Sequence, residues 1–181
     1  MYLETKRLKL ERFKVGDEQV LFDLDSNPNV VKYVGGVRAS IEVYRDTITN
    51  YLDFYSLKKN CGFYKVIFKD TNEFIGWYHL RPEHDFPDDF SMLELGYRLK
   101  EEFWGQGLAT EGSKALLEKA FTVLHADVVT SMAYHENKAS FRIMEKIGMS
   151  FKNELLYMDL YLLYRYQITK EDYYLTYSKK V

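Results

Sequence analysis

Gly105 and Gly107, two residues apart and just ahead of an apolar helical stripe, have the spacing to handle an anion. Neither puts a side chain between a ligand and the backbone. A helix start leaves N–H groups without partners, and the macrodipole adds positive potential there. The N–H groups of Gly105, Gln106, Gly107, Leu108, Ala109 and Thr110 can therefore cradle a phosphate or pyrophosphate. Upstream, Glu94 stands in an alternating strand and points away from Leu93 and Leu95. Downstream, Asn137 follows an apolar strand and opens a helix, the place of an N-cap, with Ser140 one turn on.

These residues need elements to position them. Leu93, Leu95, Tyr97 and Leu99 share one face of a strand over Ser91–Leu99. Leu108, Gly112, Ala115, Leu116 and Ala120 form the stripe of the helix that follows. Val128–Tyr134 reads as a buried strand, and Gly148 closes a helix over Asn137–Ile147. Before them, Leu3–Phe13 alternates as a first strand, and Asp17 can cap a helix carrying Val20, Leu21 and Leu24. Asn27-Pro28 opens a short helical turn ending near Gly35-Gly36. Ser40 opens a longer helix with Tyr44, Ile48, Tyr51, Leu52 and Tyr55 on one side. Phe63–Phe68 and Phe74–Leu80 form a hairpin about Asp70-Thr71-Asn72. Arg81–Phe90 reads as an acidic loop, and strands at Phe151–Tyr157 and Tyr161–Ile168 complete the chain.

Composition excludes several classes. The 181 residues suit a single domain, 1–181, with a core large enough to need no staples. With 25 Lys and Arg against 27 Asp and Glu, there is no electrostatic footprint for nucleic acid or an anionic membrane. No apolar run approaches the roughly 20 residues of a membrane span. Cys61 stands alone, so no internal disulfide or multi-cysteine zinc site forms, and a soluble protein of a reducing compartment is expected. The 16 Tyr and 12 Phe are read as core and groove lining. His84, Asp85, Asp88 and Asp89 lack metal-ligand spacing and read as a solvated loop; no metal is expected. His79, His125 and His135 are scattered and read as structural. Gly105-Gln106-Gly107-Leu108-Ala109-Thr110 lacks the third glycine of a dinucleotide fingerprint, and no P-loop is present.

The segment Leu99–Ala109 resembles motif A of the GNAT acyl-CoA acyltransferases, V-x-x-x-x-(Q/R)-x-x-G-x-(G/A). Leu99 takes the first position, Gly107 the glycine and Ala109 the last, while Trp104 replaces the Gln or Arg. That departure is common in the branch of RimJ/RimL-like N-terminal acetyltransferases, and it puts in question a side-chain phosphate contact at that position. Glu4-Thr5-Lys6-Arg7-Leu8 and the set Asn137, Ser140, Glu145, Lys146 and Gly148 extend the resemblance over nearly the whole chain. The resemblance implies an α/β (α+β) GNAT fold. This is a mixed, mostly antiparallel sheet of six to seven strands with helices on both faces and splayed central strands. Ser91–Leu99 and Val128–Tyr134 would be those strands, parted by the pantetheine arm of acetyl-CoA.

The implied function is transfer of an acetyl group from acetyl-CoA to a primary amine by direct attack in a ternary complex. A protein N-terminus, a peptide, a polyamine and a small amine all fit as acceptor. The alternative is an inactive GNAT-like module that binds CoA or a partner protein. A homodimer and a cytoplasmic setting are compatible with either. The acceptor amine must lose a proton, and Glu94 is the candidate base, its carboxyl expected to be raised by a partly desolvated cleft. The family's asparagine at Asn137 also reaches the pantetheine arm. The family's tyrosine acid falls at Met144, so Ser140 is the candidate to protonate the thiolate. Tyr97, Leu99 and Trp104 border the cofactor, and a main-chain N–H near Leu95–Tyr97 would stabilise the oxyanion.

Overall fold

The strands are β1 (Tyr2–Glu4), β2 (Leu8–Arg12), β3 (Gly62–Phe68), β4 (Glu73–Pro82), β5 (Met92–Leu99), β6 (Val128–Tyr134), β7 (Ser150–Tyr157) and β8 (Tyr161–Thr169). The helices are α1 (Glu18–Asp25), α2 (Pro28–Val31), α3 (Glu42–Leu57), α4 (Leu108–Thr122), α5 (Lys138–Lys146) and α6 (Lys170–Tyr177). The structure is a computed structural model that describes residues 2–37, 40–57, 60–84 and 86–177. Among these residues, the eight strands form one mixed sheet in the order β1-β2-β3-β4-β5-β6-β8-β7. The chain divides into two compact units, Met1–His79 with Tyr97–Gly112, and Leu80–Gly96 with Ser113–Val181.

In the first unit, the expected first strand is instead a hairpin, with Leu3 opposite Leu10. Thr5 Oγ1 accepts from Leu8 N–H at 2.9 Å, and this short polar side chain turns the chain where alternation alone predicted continuity. The extra strand raises the sheet from the expected six or seven to eight. Asp17 sits at the N-cap of α1 but makes no side-chain cap bond. Its carboxylate is taken by Lys65 Nζ at 3.1 Å, a buried pairing that outcompetes the local cap. Asn27 does cap α2, accepting from Asn29 N–H at 2.9 Å. Phe13, Leu21, Tyr44 and Ile48 form a core with Phe63 and Trp77 packed against it. Tyr78, next to Trp77, faces the opposite side of β4, where its ring meets Gly112 of α4. Helices thus cover both faces of this part of the sheet.

In the second unit, β5 and β6 run parallel and β6, β8 and β7 antiparallel. A parallel pair needs a long crossover, which α4 supplies. Leu116, Leu117, Ala120 and Phe121 of α4 are fully buried. The chain does not end on its last strand: α6 follows, with Tyr173 against Phe121 at 4.8 Å between ring centroids. Thr169 Oγ1 accepts from Asp172 N–H at 3.1 Å, the Thr-x-x-Asp start that the tyrosine-rich tail obscured. No helix among the described residues is long and apolar enough to cross a membrane.

Candidate active site

The first unit holds the glycine loop expected to cradle an anion. Gly105 and Gly107 have φ of 73° and 77°, the left-handed region that side-chain-bearing residues rarely adopt. They turn the chain from the 3-10 turn Glu101–Phe103 into α4. Glu111 N–H bonds back to Gly107 O at 3.0 Å, so the N–H groups of Leu108, Ala109 and Thr110 precede the helix ladder. Gly105, Gln106 and Gly107 are exposed, Leu108 is buried, and Ala109 and Thr110 are half-buried.

Two residues outside the motif, Tyr78 and Arg7, fix this loop. Buried Tyr78 donates its hydroxyl to Leu108 O at 2.9 Å and to Ala109 O at 3.1 Å. Its phenol is pushed well above the ordinary range by burial, with Tyr97 and Glu111 adding to it. A Cβ on Gly112 would stand 2.5 Å from the Tyr78 ring, so this helix position is small because the tyrosine fills it. Arg7 donates to Gln106 O at 3.0 Å and to Glu111 Oε2 at 2.7 Å. Its Nη2 lies 3.7 Å from where a Cβ of Gly107 would be, which sets a guanidinium beside the cradle. Trp104, at the motif's Gln or Arg position, is half exposed and donates its indole N–H to Leu99 O at 2.8 Å. Tyr78 carried no motif signal in the sequence, and Arg7 stood in the N-terminal stretch of the resemblance without a role; only the fold brings them to the loop.

The second unit holds the parted strands. The β5–β6 ladder pairs Met92 with Val128, Leu93 with Val129 and Glu94 with Thr130, and its register ends there. β5 continues to Leu99 and β6 to Tyr134. Glu94 thus marks the branching point. It is 8% exposed, and Arg81 Nη2 donates to its Oε2 at 2.6 Å. The sequence offered burial as the main influence on this carboxylate; the structure adds a guanidinium in direct contact with it. Arg81 and Pro82 belong to β4 rather than to the acidic loop, and this places the guanidinium beside Glu94. Glu83, read from sequence as loop, turns inward and is 3% exposed.

Asn137 caps α5, its Oδ1 accepting from Ser140 N–H at 3.2 Å. Both residues are half-buried. Met144 is buried, so the position of the family's tyrosine belongs to the core. Of the acidic loop, Asp85 lies outside the described residues. The Ser91 hydroxyl and N–H donate to Asp89 and hold its carboxyl below the usual range. His79 is buried against Trp77 and Phe63, and His135 lies against Tyr134. Among the described residues no three His, Cys, Asp or Glu side chains group as metal ligands.

The structure thus shows a glycine loop at a helix start in the first unit and, in the second, a β5–β6 ladder that ends at a nearly buried carboxylate. Residues 7–150 match the model of the acetyltransferase (GNAT) domain. The N-acetyltransferase p20 of Bacillus licheniformis is 28% identical over 179 residues, spanning 94% of this chain and 97% of that protein. A GNAT-family acetyltransferase structure from Bacillus anthracis aligns with a TM-score of 0.80 at 22% identity, over 94% of this chain and 99% of that one. A structure of RimL, a ribosomal L7/L12 alpha-N-protein acetyltransferase in complex with coenzyme A, aligns with a TM-score of 0.78 at 15% identity, over 93% and 98%.

Proposed function

The chain belongs to the GNAT acetyltransferase family, and from that premise we propose that it carries an acetyl group from acetyl-CoA to a primary amine by direct attack in a ternary complex. The single observation that carries this reading is the end of the β5–β6 ladder at Glu94 and Thr130. Beyond it, backbone N–H and C=O groups of β5 and β6 are available to an extended amide-bearing chain such as pantetheine. The Gly105–Thr110 loop takes the pyrophosphate on its N–H groups, and Arg7 supplies the charge that Trp104 does not. Tyr97, Leu99 and Trp104 line the cofactor's path along β5 and the loop.

The chemistry is balanced within these parts. The neutral amine nitrogen bonds to the thioester carbonyl carbon, and the carbonyl electrons move onto oxygen. A β5 main-chain N–H beyond Glu94 stabilises that oxyanion. Glu94 takes the proton that the amine sheds, directly or through water. Collapse breaks the C–S bond, and the thiolate takes a proton with the Ser140 hydroxyl close by at the positive start of α5. Asn137, its Oδ1 spent on the cap, offers Nδ2 to a pantetheine carbonyl. The protein works in the reducing cytoplasm, in keeping with a buried Cys61 thiol outside any disulfide.

The test is a panel of primary amines, from peptides to small molecules, with release of the CoA thiol as readout and calorimetry for CoA binding. CoA binding with turnover of at least one amine is the expected result. Binding without turnover on any amine favours an inactive module, and absence of CoA binding removes the reading altogether.

A further inference from the structure

Where the β5–β6 ladder ends, Glu94, Arg81, Glu83 and Arg165 come together on one face of the sheet among the described residues. Glu94 stands opposite Thr130, and two residues further along β6, Met132 stands opposite Arg165 of β8. Residues opposite one another in a ladder, and residues two apart on a strand, share a face. Arg165 is therefore on the Glu94 side, one pleat into the open part of the gap. Strand spacing and rise put the two Cα atoms roughly 12 Å apart, a span that both side chains and a small ligand can bridge. Arg81 joins the group through Glu94, and Glu83 joins it by accepting from Thr130 Oγ1 at 2.5 Å.

The four charges balance, but their bonding does not. Arg81 is engaged at 2.6 Å. Arg165 Nη2 lies 3.6 Å from Glu83 Oε2, which is an ion pair without a hydrogen bond. Arg165 Nε is buried and has no hydrogen-bond partner among the described residues. A guanidinium offers five donors in a planar fork suited to a carboxylate. With Nε closed off, the partly exposed guanidinium offers an anion its Nη edge, where the ion pair with Glu83 is too long to be a hydrogen bond. A neutral array also selects by charge. A simple ammonium or a simple anion adds an uncompensated charge to a half-buried face, whereas a molecule carrying both adds none.

We propose that the acceptor is a zwitterion: a primary amine with a carboxylate a few bonds away, its amine at Glu94 and its carboxylate on the Arg165 fork. The proposal rests on the reading of the Glu94 face as the acceptor side. The carboxylate can belong to a free amino acid or to an acidic side chain near a peptide N-terminus, and the recognition chemistry is the same.

Matched probes test it. Calorimetry on the CoA-saturated protein compares 4-aminobutyrate with butylamine, and Glu-Ala-Ala amide with Gln-Ala-Ala amide; thiol release is read on the same four. The carboxylate member of at least one pair is expected to bind tenfold or more tightly, and the successful pair identifies the source. In Arg165→Gln that advantage should fall below threefold, and Arg165→Lys should restore part of it. Equal binding within both pairs in the wild type overturns the proposal, as does an advantage that survives in folded Arg165→Gln. Because binding is read without turnover, the two readings separate. Preference without thiol release keeps this site and removes the transferase reading, while thiol release without preference does the reverse.

Discussion

Arg7 Nε lies 2.7 Å from Glu111 Oε2 across 104 residues of sequence, and the same carboxylate accepts from the Arg7 N–H at 2.8 Å and from the Thr5 hydroxyl at 2.5 Å. One side chain in the first turn of α4 therefore ties down the β1–β2 turn and, through Arg7, the glycine loop. Burial pushes the Glu111 carboxyl up, but the bonds from Thr5 and Arg7 outweigh it and hold the carboxyl below its ordinary value of 4.5.

The first prediction follows from the sign of that shift. A carboxyl lowered in the folded state adds stability above its ordinary value and loses it as pH falls through the folded value. Melting temperature should drop below about pH 4.5, and Glu111→Gln should lower it at pH 7 while flattening the acid limb. Other carboxyls, among them Glu11 and Glu101, are also lowered, so the difference between wild type and variant is the measurement. Parallel melting curves from pH 3 to pH 7 contradict the assignment.

A second prediction concerns the two glycines that flank the first turn of α4. Gly107→Val forces a β-branched residue into φ of 77° and should weaken CoA binding tenfold or more, read by calorimetry on protein shown to be folded. Unchanged CoA affinity removes the loop from the cofactor site. Gly112→Ala fails for a different reason, because its Cβ would meet the Tyr78 ring at 2.5 Å. It should cost about 1–3 kcal/mol in chemical denaturation. In a Tyr78→Ala background the same change should be neutral or stabilising, as alanine outperforms glycine in a helix.

Much of this was legible before the fold was known. The alternation over Ser91–Leu99 and the stripe from Leu108 to Ala120 predict β5 and α4 because periodicity is a local property, read within one element. The glycine loop was legible for the same reason. What the sequence hid was pairwise and distant. Asp17 reads as a cap until Lys65 arrives from β3, and Thr5 reads as one more strand residue until Leu8 folds back on it. Arg81 and Glu83 read as an acidic loop because Pro82 lies between them, yet β4 carries the proline at its end and both side chains turn onto the sheet. Arg165 gave no signal within an aromatic strand; only its register against Met132 gives it a place.

The third prediction separates cap from contact at Asn137. Its Oδ1 accepts from Ser140 N–H at 3.2 Å, so Asn137→Ala should cost about 0.5–2 kcal/mol of stability. Asn137→Ser retains a capping oxygen but not the amide donor. CoA affinity should fall in both variants and stability mainly in the first. If CoA affinity follows stability alone, the residue is a cap and nothing more.

The last prediction is that Glu94 takes the acceptor's proton. It stands at the final pair of the β5–β6 ladder, nearly buried, with Arg81 Nη2 at 2.6 Å from one carboxylate oxygen. Glu94→Gln keeps an oxygen for Arg81 and therefore the packing, but it removes the proton acceptor. Turnover should fall by about 10²–10⁴-fold, less if water takes over the role, while CoA affinity holds. The rate of the wild type should rise with pH through an inflection that the variant lacks. An inflection can also come from the acceptor, so amines of different basicity must be compared. One that stays in place across acceptors belongs to the protein, and one that moves with them belongs to the amine. Arg81→Gln is the companion variant: it removes the guanidinium that touches Glu94, so an inflection that belongs to Glu94 should respond to it and one that belongs to the amine should not. If the inflection follows the amine, ignores Arg81 and persists in a Glu94→Gln variant of near-full turnover, then Glu94 is a structural partner of Arg81 and the proton leaves by another route.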